Sequence, residues 1–472
     1  MPAASRPIRL VPALLLAVLS APVALAQEPP DADPPPRGQA AGETAAAGIG
    51  PLFIAPLGDD HLFGDWGGAR TWLGQHGIDL RLDYLQESAG NVSGGRRQGV
   101  TYTGQVGLEL DLDLGKLAGL PGLAVHGVVV QGHGQNLSGA YLGDNIDQVQ
   151  QVFGGRGNVA AHLVYLYAEQ STDDNRIDFA AGWLPVGTYF GGSPLYCDFT
   201  NLINCGSSYP LPLYPGEPDW PSANWGGQVR VLPTRQTYVM VGLFDVNPHF
   251  GGPSGWNMTT AGSTGVSIPV EIGWVPSFGA RHLIGHYKFG FDEDTSTYPD
   301  LYTGANGAPL AASGLPGAPR DGRRMYYVLV DQMLARAGDG DADGLIVFGG
   351  WVHADADISP MQDQIFAGVV QTGAAFGRPD DTFGVEWSRF TMSGALTRTQ
   401  ELQAGLGLPL TSGGLGTAYG IQSREQIVEV MYNAQVWRGI NVEPNVQYIV
   451  RPGATAATRN ALVLGVQSNV QF

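Results

Sequence analysis

GINVEPNVQYIVRPGATAATRNALVLGVQSNVQF, Gly439 to Phe472, is the stretch that decides the fold. Its first half places Ile440, Val442, Pro444, Val446, Tyr448 and Val450 on one parity, and Asn441, Glu443, Asn445 and Gln447 on the other. After a break at Arg451-Pro452-Gly453-Ala454, the residues Leu462, Leu464, Val466, Val470 and Phe472 share one face. Gln467, Asn469 and Gln471 share the other. A repeat of two means strand, because successive side chains point to opposite faces of a sheet. A chain that stops on such a strand is expected to pair it back to the first strand, and a closed barrel leaves no edge open.

The same alternation runs upstream. Ile78, Leu80, Leu82 and Tyr84 alternate with Asp79, Arg81 and Asp83, and Leu108, Leu110, Leu112 and Leu114 with Glu109, Asp111 and Asp113. Three acids in a row on one face suit a wide, watery interior better than a packed core, where like charges are costly. Sixteen such strands can be laid down between Gly77 and Phe472, the ninth over His282 to Asp292 and the tenth over Arg324 to Arg336. Short connections (171–175, 233–236, 377–381, 437–439) alternate with mostly long ones (187–223, 247–265, 293–323, 393–423). That asymmetry is expected of outer-membrane barrels, with short turns in the periplasm and long loops outside. The fold expected is therefore all-β: a 16-stranded antiparallel transmembrane β-barrel of the outer-membrane porin type. A short helical segment precedes it, opened by Leu62-Phe63-Gly64-Asp65-Trp66-Gly67-Gly68-Ala69-Arg70 and stopped at Gly77. Trp66 and Arg70 are read as an interface anchor with its turn, or as pore residues.

Gln447-Tyr448-Ile449-Val450 before Pro452-Gly453, then Asn460 to Gly465 and the terminal Phe472, resemble the C-terminus of the carbohydrate-selective porin (OprB) family. That family usually has Asn where Arg451 stands and a second Gly where Ala454 stands. Phe63-Gly64-Asp65-Trp66, Tyr196-Cys197-Asp198-Phe199 with Cys205-Gly206, Asn224-Trp225-Gly226-Gly227, Tyr326-Tyr327 with Asp331-Gln332, Gly344-Leu345 with Val347-Phe348, and Ala367-Gly368 resemble it in the same order. The resemblance implies a passive channel for small, glucose-like sugars, working as a monomer or homotrimer without a cofactor. An unselective diffusion porin and an outer-membrane barrel enzyme are the competing readings.

Composition sets the compartment. Arg6, Arg9, an apolar run from Leu10 to Leu19 and Ala24-Leu25-Ala26 read as a signal peptide over residues 1–26. Residues 27–60, rich in Pro, Ala and acids, read as a disordered periplasmic linker, with the barrel over 61–472. No later run is long enough for a transmembrane helix. The formal charge is -18, and loss of Arg6 and Arg9 makes it -20. No basic stripe exists to neutralise phosphates, which excludes nucleic acid as a partner and leaves sugars and outer-membrane lipid.

In an exported chain, Cys197 and Cys205 are expected to form a disulfide; with no His in the loop between them, a metal pair is disfavoured. They lie in the aromatic, Pro-rich connection 187–223, read either as an inward-folded constriction or as an external lid. Asp339-Gly340-Asp341-Ala342-Asp343-Gly344 copies half a calcium loop, but Gly350 stands where its bidentate Glu belongs, so a solvated turn is expected and no metal. His126 and His162 read as ordinary strand residues. On the lumen parity the candidate sugar-binding residues are Asp79, Arg81, Glu109, Asp111, Arg230, Glu271, Lys288, Glu443 and Gln447. Mixed charges suit a neutral polyol, whose hydroxyls accept from guanidinium and donate to carboxylate. No nucleophile elbow or metalloprotease helix is present in the sequence, and a dispersed catalytic set would leave no such motif.

Overall fold

The period-two pattern is realised as a closed ring of strands in the computed structural model, which describes residues 61–153, 157–172, 174–202, 204–205, 220–338, 340, 342–373 and 376–472. The expected signal peptide, the linker up to residue 60, and Asp339 and Asp341 of the calcium-like turn lie outside the described residues. Sixteen strands build the wall: β1 Ile78–Gly95, β2 Gly99–Asp113, β3 Leu123–Gly134, β4 Val159–Ser171, β5 Ile177–Leu184, β6 Asn224–Thr234, β7 Thr237–Val246 and β8 Gly265–Trp274. They continue as β9 Leu283–Gly304, β10 Gly317–Arg336, β11 Gly344–Ala354, β12 Met361–Thr372, β13 Thr382–Met392, β14 Arg424–Trp437, β15 Ile440–Val450 and β16 Arg459–Gln471. A two-residue extension at Ser277–Phe278 pairs with the start of β9.

Each strand pairs antiparallel with its neighbours in sequence, and β1 closes the ring on β16, in register from Asp83 opposite Gln471 to Gly95 opposite Arg459. The expected closure of the last strand on the first is what the chain does. Leu108, Leu110, Val428, Val430, Val446, Leu464 and Val466 lie exposed on the outer parity. So much exposed apolar wall suits lipid, not water.

The segment before β1 forms the expected helix, Ala69–Gln75, and Gly77 follows its cap at φ +84°, a conformation that favours glycine. The helix ties the ring shut from below. Leu62 N–H donates to the Gln471 carbonyl at 2.8 Å, Arg70 Nη2 to the main-chain oxygen of Phe472 at 2.6 Å, and the Phe63 and Phe472 rings sit 5.7 Å apart. Arg70 also lies 4.3 Å from the centre of the Trp66 ring. Arg70 thus serves the seam, with Trp66 against its guanidinium.

Two long connections differ from their sequence reading. The stretch 293–323 is not a free loop, because β9 and β10 continue through most of it as a raised hairpin. Its residues carry no apolar alternation because its covered face is polar: Asp294, Ser296 and Asp300 are buried, and Arg323 lies 3.2 Å from Asp294. The connection 393–423 contains a helix, Gly394–Gly405, started by Ser393 Oγ accepting from the Ala395 and Leu396 amides at 3.0 and 3.2 Å.

Candidate functional site

The inner parity of a wide barrel would hold water, yet much of it here is covered by the chain itself. The β5–β6 connection enters the lumen and runs along the wall from β8 round to β15. At its start, Gly191 N–H donates to Glu271 Oε2 at 3.1 Å and the Gly192 carbonyl accepts from Lys288 Nζ at 2.7 Å. Farther along, Phe190, Tyr196 and Phe199 are buried, and the Tyr196 ring lies 5.3 Å from that of Phe366 on β12 and 5.8 Å from that of Phe348 on β11. Cys197 and Cys205 are disulfide-bonded, as expected, with their Cα atoms 4.4 Å apart. Beyond Cys197, the Thr200 and Asn201 amides donate to the two oxygens of Glu429 at 2.9 and 3.0 Å, and Thr200 Oγ1 donates to Glu443 at 2.9 Å. The external-lid alternative does not describe this path.

The β3–β4 connection folds in beside it. Glu87 of β1 accepts from the Gln151 and Val152 amides at 3.2 and 3.3 Å, and Gln447 Nε2 donates to the Val149 carbonyl at 3.0 Å. The two connections meet, since Gln151 N–H donates to Thr200 O and Leu202 N–H to Gln148 O, at 3.0 and 2.9 Å. Wall carboxylates thus find main-chain donors instead of cations, and an acidic chain can cover them without pairing each one.

The nine candidate residues all project from the inner parity, in three groups. Asp79, Arg81, Glu109 and Asp111 form one patch on β1 and β2, where Arg81 lies 3.0 Å from Asp79 and 3.9 Å from Glu109 with its side chain 40% exposed. Tyr165 OH donates to Glu109 at 3.3 Å, and His126 Nδ1 lies 2.5 Å from Asp111. His126, read as an ordinary strand residue, is therefore part of the patch, and its ring stacks 4.9 Å from that of Tyr167. Arg230, Glu271 and Lys288 form a second group around the loop entrance. Arg230 and Glu271 both stand opposite Met240 in register, so they share one row, with Lys288 two positions from it opposite Gly273. Glu271 accepts from Tyr238 OH and Tyr327 OH, each at 2.6 Å. Each tyrosine ring reaches it over a glycine: a Cβ at Gly273 would meet the Tyr238 ring at 2.0 Å, and one at Gly290 the Tyr327 ring at 1.9 Å. Glu443 and Gln447 make the third group, both buried under the inserted connections.

Glu87, Glu386 and Glu429 belong beside these residues and are absent from the sequence-derived set. Strand parity alone could have found two of them, since Val385-Glu386-Trp387 and Val428-Glu429-Val430 alternate cleanly. In the inserted β3–β4 connection, burial pushes the Asp144 carboxyl up to about 6, against the pull of the Ile146 and Asp147 amides that donate to its Oδ1 at 2.9 and 3.1 Å. Burial, with the carboxylates of Asp144, Glu429 and Glu386 nearby, pushes Asp147 up as well.

Comparison with known proteins adds an independent line. A sequence model described as carbohydrate-selective porin, OprB family, matches residues 97–472. Porin B of Pseudomonas aeruginosa is 31% identical over 422 residues, covering 87% of this chain and 91% of that one. A putative porin of Acinetobacter baylyi, QuiX, is 25% identical over 424 residues, covering 87% and 93%. A structure of Pseudomonas putida OprB at high pH superposes with a TM-score of 0.80 at 29% identity, covering 89% of this chain and all of that one.

Proposed function

Since this chain belongs to the carbohydrate-selective porin (OprB) family, an outer-membrane channel family and not an enzyme family, we propose that it admits glucose-like monosaccharides into the periplasm by passive diffusion. The long-loop end faces the outside of the cell, and the barrel's two chain ends, with the short turns, face the periplasm. The observation that carries the sugar reading is the Arg81 patch. A water-accessible guanidinium beside the equally open Asp79 carboxylate, backed by the buried Glu109, offers a neutral polyol donors and acceptors in one place. The β5–β6 connection covers the wall from β8 round to β15 and the β3–β4 connection lies over Glu87 of β1, while Arg81 and Asp79 stay open to a passing solute.

Each hydrogen bond to a sugar competes with water and contributes only about 0.5–3 kcal/mol. Weak binding is what a channel needs, because a site that holds its solute blocks the path. The test is single-channel recording in planar bilayers with glucose added stepwise. Millimolar glucose should reduce the ion current of the native protein, and Arg81→Ala or Glu109→Gln should weaken that block while the barrel still shifts on heating in detergent gels. An unchanged block in both variants removes the patch as the sugar site. A native channel with no glucose block is an unselective porin.

A further inference from the structure

The outer wall carries a second feature, which the channel reading does not use. From β13 through β16 and on to β1 and β2, the lipid-facing parity holds two charged side chains and no carboxylate. Both charges are arginines, Arg389 on β13 and Arg424 on β14, and both lie toward the long-loop end. In register Arg389 faces Gln426 and Arg424 faces Thr391, which makes the two arginines diagonal neighbours within reach of one another's ligands. Among the described residues neither has a carboxylate within salt-bridge distance, and Arg389 Nε is buried without a hydrogen-bond partner there. The nearest acid on that face, Asp363 of β12, is diagonal to Arg389 and lies 2.8 Å from His353 Nδ1. Glu425, next to Arg424 in sequence, points inward and is fully buried. Below the pair the same face runs into bare apolar wall through Val428, Val430 and Val446.

We propose that Arg389 and Arg424 form a binding site for the phosphorylated headgroup of a lipid in the outer leaflet. The occupant is set by shape as much as by charge. Two unpaired cations above an apolar strip match a molecule with phosphate at the top and acyl chains beneath, and a soluble anion would leave that strip to other lipids. Burying an unpaired guanidinium at a lipid boundary is costly unless an anion meets it. The outer-leaflet assignment rests on the orientation given above, whereas the binding itself does not.

The test uses the full chain folded in an uncharged detergent, with lipid occupancy read by native mass spectrometry. The probes are a bisphosphorylated lipid A, the same lipid with both phosphates removed, and inorganic phosphate. We expect the phosphorylated lipid to bind on the order of ten-fold more tightly than its dephosphorylated form. The Arg389→Gln, Arg424→Gln double variant should erase that difference. Arg324→Gln, which removes an outer-face arginine already paired with Glu293 at 2.8 Å, should preserve it. Three results would overturn the proposal: equal binding of both lipids, competition by inorganic phosphate alone, or loss of a protein oligomer instead of lipid in the double variant. Glucose block measured on the same samples keeps failure here separate from failure of the sugar reading, because both arginines face away from the lumen.

Discussion

The Lys288 ammonium and the Gly192 carbonyl, 96 positions apart in the chain, are joined inside the lumen at 2.7 Å. A pore-facing cation is thereby committed to holding the entrance of an inserted loop. A hydrogen bond made by a charged group contributes about 1.5–3 kcal/mol. Lys288→Met should therefore free the first turn of the β5–β6 connection. We expect a larger and noisier single-channel conductance with the barrel intact. Native-like conductance and noise in this variant would mean that Glu271 alone fixes the entrance through the Gly191 amide.

The disulfide acts on the middle of the same connection. Alkylation of the folded protein without reductant should label neither Cys197 nor Cys205. Cys197→Ser with Cys205→Ser removes a cross-link that restrains the free loop by on the order of 2 kcal/mol. Limited proteolysis should then cut the connection at lower protease concentration, while the barrel survives. Identical cleavage patterns with and without the bond would show that the Glu429 and Glu443 contacts hold the segment unaided.

How much of this was legible in the sequence depends on what lies on each side of a strand. Leu108 to Leu114 alternate with acids because lipid and water meet across a single wall, so all sixteen strands announce themselves. β9 beyond Asp292 did not, because its covered face is polar, with Asp294, Ser296 and Asp300 buried in place of apolar residues. The lumen parity of Glu271 and Glu443 was equally plain. Their partners were not: the Gly191 amide, the Thr200 hydroxyl and the Asn201 amide are ordinary groups in a loop, and nothing in a list of residues says that a loop turns inward. The raised hairpin and the two inserted connections are consequences of tertiary packing, which periodicity does not record.

Stability of the inserted β3–β4 connection should depend on pH, in a direction opposite to the common acid case. Burial raises Asp144 to about 6 and raises Asp147 as well, so the docked connection binds more protons than a released one. Docking is then most stable below the carboxylates' ordinary range near ~4, and it weakens as pH rises through about 6. Facing Asp147 are Glu429 and Glu386, whose like charges act in the same sense, whereas a hydrogen bond with Glu425 pulls Asp144 the other way. Hydrogen exchange over residues 136–153, corrected for intrinsic rates, should show more protection at pH 5 than at pH 7.5. Asp147→Asn should flatten the difference. Greater protection at the higher pH would reverse the sign and remove burial as the governing cause.

The turn between β15 and β16 supplies the last expectation, and it explains two departures from the family pattern. Arg451 and Ala454 both adopt positive φ, +61° and +60°, flanking Pro452 and Gly453. Asn and Gly, usual in the family at these positions, are the residues that tolerate that conformation, whereas other L residues pay roughly 1–2 kcal/mol for it. The two sites should nevertheless respond differently. Arg451 is only partly buried, and its side chain makes a long 3.4 Å bond to Ser423 Oγ, so Arg451→Asn relieves strain and loses little. Ala454 is fully buried, and replacing it by Gly forfeits a packed methyl worth about 0.8 kcal/mol and adds freedom to the unfolded chain worth about 0.4–1 kcal/mol. Those losses offset the relief. Urea unfolding in detergent micelles should thus place Arg451→Asn about 0.5–1 kcal/mol above the native protein, with Ala454→Gly within about 0.5 kcal/mol of it. If Ala454→Gly is the more stabilising change, the methyl is crowded instead of packed, and relaxation of the Glu425 bond to the Ala454 amide, now 3.0 Å, becomes the distance to measure.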